Sequence, residues 1–146
     1  DARVGDEAIT PSVTVTEAMI LTYANLTGDF TPVHLDEAYA RTTPFGTRVA
    51  HGLLGLALAD GLKTRADYRF LPGMSLGWTW DFKGPIFLGD TLHVRCRLRD
   101  KRKTKKPGRG IFFLALQVVN DRGEVIQEGE HRLMVETREN TQSAYA

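Results

Sequence analysis

The chain has 146 residues, enough for one domain with a real core and too few for two. Its apolar fraction of 42% and charged fraction of 25% exclude wholesale disorder, and 19 basic against 18 acidic residues exclude a global electrostatic footprint for nucleic acid or an anionic membrane. A single cysteine, Cys96, excludes an internal disulfide framework.

Helix signals come first. Thr16 ahead of Glu17-Ala18-Met19-Ile20-Leu21 is an N-cap with an acidic first turn, and Gly28 is a stop, so a helix is predicted between them. Pro32 is expected to keep the next stretch out of regular helix. Leu35 to Arg41 is predicted as a short second helix with Asp36 and Glu37 in its first turn, ended by the loop Thr42-Thr43-Pro44-Phe45-Gly46. His51 to about Arg65 is the main predicted helix. Leu53, Leu54, Leu56, Ala57, Leu58, Ala59 and Leu62 cover nearly its whole circumference, the pattern of a helix wrapped on most sides. Gly52, Gly55 and Gly61 each cost roughly 1 kcal/mol against alanine there, which implies that something approaches the backbone closely. The same apolar stretch is interrupted by Asp60 and falls far short of the roughly 20 residues of a membrane span. The chain opens on Asp1 and shows no signal peptide, so a cytoplasmic setting is expected.

After Pro72-Gly73 the period changes from helical to two. Met74, Leu76, Trp78, Trp80 and Phe82 alternate with small or polar residues, and Leu92, Val94, Cys96 and Leu98 alternate with His93, Arg95, Arg97 and Arg99. Ile111 to Val119 is almost continuously apolar and is predicted as a central strand. Asn120 to Gly123 is then a hairpin turn, and Val125 to Val135 a last strand. Helices followed by antiparallel strands argue for an α+β class, one curved sheet folded over one buried helix, in a single domain spanning residues 1–146 with its core at about 15–137.

The densest set of reactive residues is Leu26-Thr27-Gly28-Asp29-Phe30-Thr31-Pro32-Val33-His34. Asp29 and His34 flank a proline that keeps the segment irregular, which lets a carboxylate and an imidazole converge on one water molecule. The same residues also suit a plainer role, with Asp29 in a turn after the helix and His34 capping the next one.

That segment, followed by His34-Leu35-Asp36, Phe45-Gly46 and Val49-Ala50-His51-Gly52-Leu53-Leu54, resembles the MaoC-like (R)-specific enoyl-CoA hydratase and dehydratase family. The family pattern is Gly-Asp-x-Asn-Pro-x-His, with a His-Gly pair opening the central helix of a hotdog fold. Gly84-Pro85-Ile86-Phe87-Leu88-Gly89-Asp90 resembles the family's strand connection. The resemblance implies a hydro-lyase that adds water reversibly to trans-2-enoyl thioesters of coenzyme A or an acyl carrier. It also implies a homodimer or higher homo-oligomer, with no cofactor. By position it assigns Asp29 and His34 as the catalytic pair and Gly52 as the backbone donor to the thioester carbonyl. An unpaired amide at the positive end of a helix dipole suits that task.

Thr31 stands where the family usually has an orienting asparagine and offers fewer hydrogen bonds. That departure favours the alternative of a non-catalytic acyl-thioester-binding module; a hotdog thioesterase is a third reading, against which the Asp29-to-His34 motif argues. Phe45, Leu53 and Asp60 are the expected substrate-binding residues. Asp60 either enters the acyl site or belongs to a solvated face with Lys63.

The basic run from Asp100 to Arg109 sits between two predicted strands as a long hairpin tip. It serves either to contact coenzyme A phosphates or simply as a solvated tip that suppresses edge aggregation. No aromatic or helix-turn-helix pattern accompanies it, so nucleic acid is not an expected partner. His93 and His131 lack ligand-spaced partners, and no metal is expected. Trp78 and Trp80 read as core, and Cys96 as a buried, inert thiol.

Overall fold

The computed structural model describes residues 2–67 and 73–138, so Pro72 of the expected Pro72-Gly73 turn lies outside the described residues. Alternation of apolar and basic residues builds β4 (Thr91–Lys103), whose Leu92, Val94, Cys96 and Leu98 are all buried. β5 (Arg109–Val119) lies between β4 and β6 (Val125–Glu136), the central position that its apolar run implied. β3 (Met74–Phe82) pairs antiparallel with β6 at the far edge. The order is β1 (Glu7–Ile9), β4, β5, β6, β3, with β2 (Val13–Thr14) also paired to β4. The described residues thus form six strands, two of them short N-terminal segments that add onto β4.

The helices come as α1 (Glu17–Thr27), α2 (Pro32–Leu35), α3 (Glu37–Ala40) and α4 (Gly52–Lys63). Thr16 caps α1 by accepting from the Met19 amide, and Gly28 ends it at φ 78°, a left-handed conformation that glycine adopts without a Cβ penalty. Two local expectations need correction. Pro32 starts a helical turn, because proline at the first helical position needs no amide partner. The helix expected over Leu35 to Arg41 shrinks to α3, because Asp36 accepts from the Tyr39 amide at 3.0 Å and acts as its cap. α4 packs on β4 and β5, and Leu54, Ala59 and Leu62 join the sheet's inner face in one core.

Other expectations shift in detail. β4 and β5 extend to Lys103 and from Arg109, so the basic hairpin tip is shorter than its charge run. A register shift between Ser75 and Gly77 breaks the alternation of β3, and Met74, Leu76 and Phe82 are exposed while Trp78 and Trp80 pack against the core. Burial pushes the Cys96 thiol up to about 11, as an inert thiol requires. Two of the three α4 glycines meet close neighbours, Gly52 the Phe82 ring and Gly55 the Gln127 and Ile86 side chains, whereas a Cβ at Gly61 would meet none of the described residues within 4 Å. No described helix is long and apolar enough to cross a membrane.

Candidate active site

The site forms where the C-terminus of α1, the turn α2 and the start of α4 meet. Past Gly28, Asp29 accepts two bonds on one carboxylate oxygen, Oδ1: from the Thr31 amide at 3.1 Å and from the Thr31 hydroxyl at 2.6 Å. The Thr31 hydroxyl, then its amide, hold the Asp29 carboxyl below its ordinary value, with smaller help from the His51 and His34 rings and partial opposition from desolvation. Thr31 thus orients the carboxylate directly, as far as one hydroxyl and one amide allow, and no described residue takes Oδ2.

His34 sits on α2 with Nδ1 at 2.7 Å from the Val49 carbonyl. A carbonyl oxygen only accepts, so Nδ1 carries the hydrogen and Nε2 of the neutral ring presents a lone pair. The Val49 carbonyl is itself held in place. Arg48 donates to Glu17 at 2.7 Å and to Glu37 at 3.2 Å, and Thr47 donates to Glu37 at 2.9 Å, which ties α1 and α3 to the segment entering α4. The Thr47 hydroxyl leads the set of bonds that keep the Glu37 carboxyl below its ordinary value.

One donor atom from each of Asp29, His34 and His51 lies within 4.8 Å of the other two. That spacing could hold a metal ion, but Oδ1 of Asp29, Nδ1 of His34 and Nε2 of His51 already have protein partners. The open donors are chiefly Asp29 Oδ2 and His34 Nε2. Two open groups of this kind suit a shared water better than a coordination shell.

His51, the N-cap of α4, makes no side-chain cap bond, and the amide of Gly52 has no backbone partner among the described residues. That amide lies at the positive end of the α4 dipole, the location expected of an oxyanion donor. The Gly52 carbonyl accepts from Gln127 Nε2 at 2.9 Å, and Trp80 Nε1 donates to Gln127 Oε1 at 3.0 Å, so the buried Gln127 pins the first turn of α4 to the sheet. A Cβ at Gly52 would come within 2.9 Å of the Phe82 ring.

Asp29, Thr31, His34 and the start of α4 therefore come together, and Asp60 does not join them. It lies eight residues further along α4, about 12 Å at the helical rise, exposed and ion-paired with Lys63, whose ammonium also stands 5.2 Å from the Trp78 ring centroid. Phe45 and Leu53 are apolar and exposed, at 46% and 57%. Asp90 proves structural, since its buried carboxylate accepts from the Phe87 amide and from Arg122, both at 2.9 Å, and joins the strand connection to the β5–β6 hairpin. Sequence reasoning missed His51 and Gln127 as site residues. The His51-Gly52 pair was a visible signal for the first, while nothing local marks a glutamine inside a strand.

Residues 1–112 match the family model described as MaoC like domain. A protein of Methylorubrum extorquens named 3-hydroxybutyryl-CoA dehydratase is 32% identical over 129 residues, 86% of this chain and 76% of that protein. One of Rhodospirillum rubrum named (R)-specific enoyl-CoA hydratase is 33% identical over 129 residues, 86% of this chain and 83% of that protein. Among solved structures, the (R)-hydratase from A. caviae superposes with a TM-score of 0.80 at 29% identity, covering 94% of this chain and 98% of that one.

Proposed function

The chain belongs to the MaoC-like domain family of hotdog proteins, and from that premise we propose that it is a hydro-lyase interconverting trans-2-enoyl and (R)-3-hydroxyacyl thioesters. The observation that carries the reading is the convergence of Asp29 and His34, with His34 Nδ1 committed to the Val49 carbonyl and Nε2 open. The (R) sense follows the naming of the relatives.

Water held between Asp29 Oδ2 and His34 Nε2 loses a proton to Nε2 as its oxygen adds to the β-carbon. The resulting imidazolium, stabilised by the Asp29 carboxylate, returns that proton to the α-carbon, so no proton is gained or lost overall. Charge that develops on the thioester oxygen meets the Gly52 amide. The reverse order gives dehydration.

In the same proposal the protein works as a homodimer joined through β3. An edge strand carrying exposed Met74, Leu76 and Phe82 is a surface that a second copy would cover. The setting is cytoplasmic, which suits a chain with a single cysteine. The substrate is an acyl-CoA or acyl-carrier thioester.

The test is loss of the enoyl-thioester absorbance with a panel of chain lengths on both carriers. Asp29→Asn and His34→Ala should each lower kcat by about 10² or more, and the double variant should lose little beyond either single change. A folded wild-type protein that binds these thioesters without turnover would instead support a binding module.

A further inference from the structure

His51 meets both members of the candidate pair, through the Asp29 main chain and the His34 ring. Its Nε2 lies 3.0 Å from the Asp29 carbonyl oxygen. Because that oxygen only accepts, Nε2 carries the hydrogen and donates it. The ring stacks on His34 with centroids 3.9 Å apart and planes 29° apart, and Tyr23 backs it at 4.6 Å and 49°. Only 3% of the residue is exposed, and Nδ1 is buried without a hydrogen-bond partner among the described residues, so the Nε2–H bond to Asp29 is the ring's polar anchor. In the chain His51 immediately precedes Gly52 and sets the backbone entry into α4.

We infer that His51 is a positioning residue, a clamp that fixes the Asp29 main chain, the His34 ring and the Gly52 amide relative to one another. The clamp has two separable parts. The hydrogen bond sets how far the Asp29 turn stands from α4, and the stack sets the plane in which His34 Nε2 points. Asp29 lies in an exposed turn held mainly by its own neighbour Thr31, so without His51 its carboxylate would keep its local shape but lose its distance from His34. Bond and stack together convert a flexible approach of two groups into a set one, the kind of restraint whose loss by about an ångström can cost about 10²-fold in rate. The inference deepens the hydratase reading and rests on it for its kinetic arm.

Two variants and one spectrum test it. His51→Phe keeps a ring against His34 and removes the donor, whereas His51→Gln keeps an amide donor and removes the ring. Both should lower kcat by about 10- to 100-fold and leave KM within about twofold, because neither removes a group that binds substrate. A residue that only supports folding would instead lower the amount of active enzyme, found by active-site titration, and leave kcat per site unchanged. Nitrogen-15 NMR of wild-type protein should report a protonated Nε2 and a bare Nδ1 on His51, irrespective of turnover. Wild-type kcat per site in both folded variants, or an Nδ1–H tautomer, would overturn the clamp. An inactive wild-type protein with the Nε2–H tautomer would overturn the hydratase reading and leave the clamp geometry standing.

Discussion

Gln127 Nε2 donates to the Gly52 carbonyl at 2.9 Å and so joins β6 to the first turn of α4, across 75 positions of sequence. The bond requires Gly55. A Cβ there would lie 2.5 and 2.6 Å from the two Gln127 amide atoms and 2.7 Å from Ile86 Cδ1.

Gly55→Ala should therefore destabilise the fold by about 1–3 kcal/mol, the usual result of overpacking, and should also lower turnover by shifting Gly52. Gly61→Ala, whose Cβ would meet none of the described residues within 4 Å, should stabilise by up to about 1 kcal/mol through helix propensity. Urea unfolding of the two variants checks the contrast. Equal effects would mean that Gln127 does not cross α4 at Gly55.

Thr31→Val removes the hydroxyl bond that does most to hold the Asp29 carboxyl down. The carboxyl value should rise, so the acid limb of the pH–rate profile should move to higher pH. kcat should fall by about tenfold, the scale of one hydrogen bond to a charged group. Thr31→Ser should keep both properties. An acid limb that stays in place in Thr31→Val would detach Thr31 from Asp29.

His131 predicts a stability slope. It is 1% exposed, stacks on Trp78 with centroids 3.9 Å apart and bonds Ser75 at 2.7 Å. Burial, then Lys63, lowers it from 6.5 to about 4. Between those values the unfolded chain binds more protons than the folded one. Stability should therefore fall as pH drops through that window and level off above it. The His131 share approaches about 3 kcal/mol below pH 4. Chemical denaturation from pH 4 to 8 should give a shallower slope in His131→Gln than in wild type. Identical slopes would remove the assignment.

Asp60→Ser tests the ion pair that exposed Asp60 makes with the largely covered Lys63. It should change stability by less than about 1 kcal/mol, as for surface pairs generally, and should leave the kcat/KM ratio for matched polar and apolar acyl thioesters unchanged. A ratio that shifts toward apolar acyl groups would return Asp60 to the acyl pocket.

The sequence by itself determined the elements whose causes are local. Thr16 and Gly28 bound α1 because capping acts within one turn, and alternation in residues 91 to 98 chose the buried face of β4 because a strand's period is two. It also brought Asp29, Thr31 and His34 into view, since they lie on one short segment around Pro32. Where two local rules competed it erred. Asp36 suits both a first helical turn and a cap, and only the packed chain selects the cap at α3. Tertiary structure alone decided which nitrogen of His34 carries its hydrogen, and that His51 and Gln127 complete the arrangement. The partners in those last three bonds stand 15, 22 and 75 residues apart. No periodicity or cap spans such separations. They are set when α4 settles on the sheet, where a buried polar atom must find its partner from whatever the packing brings near.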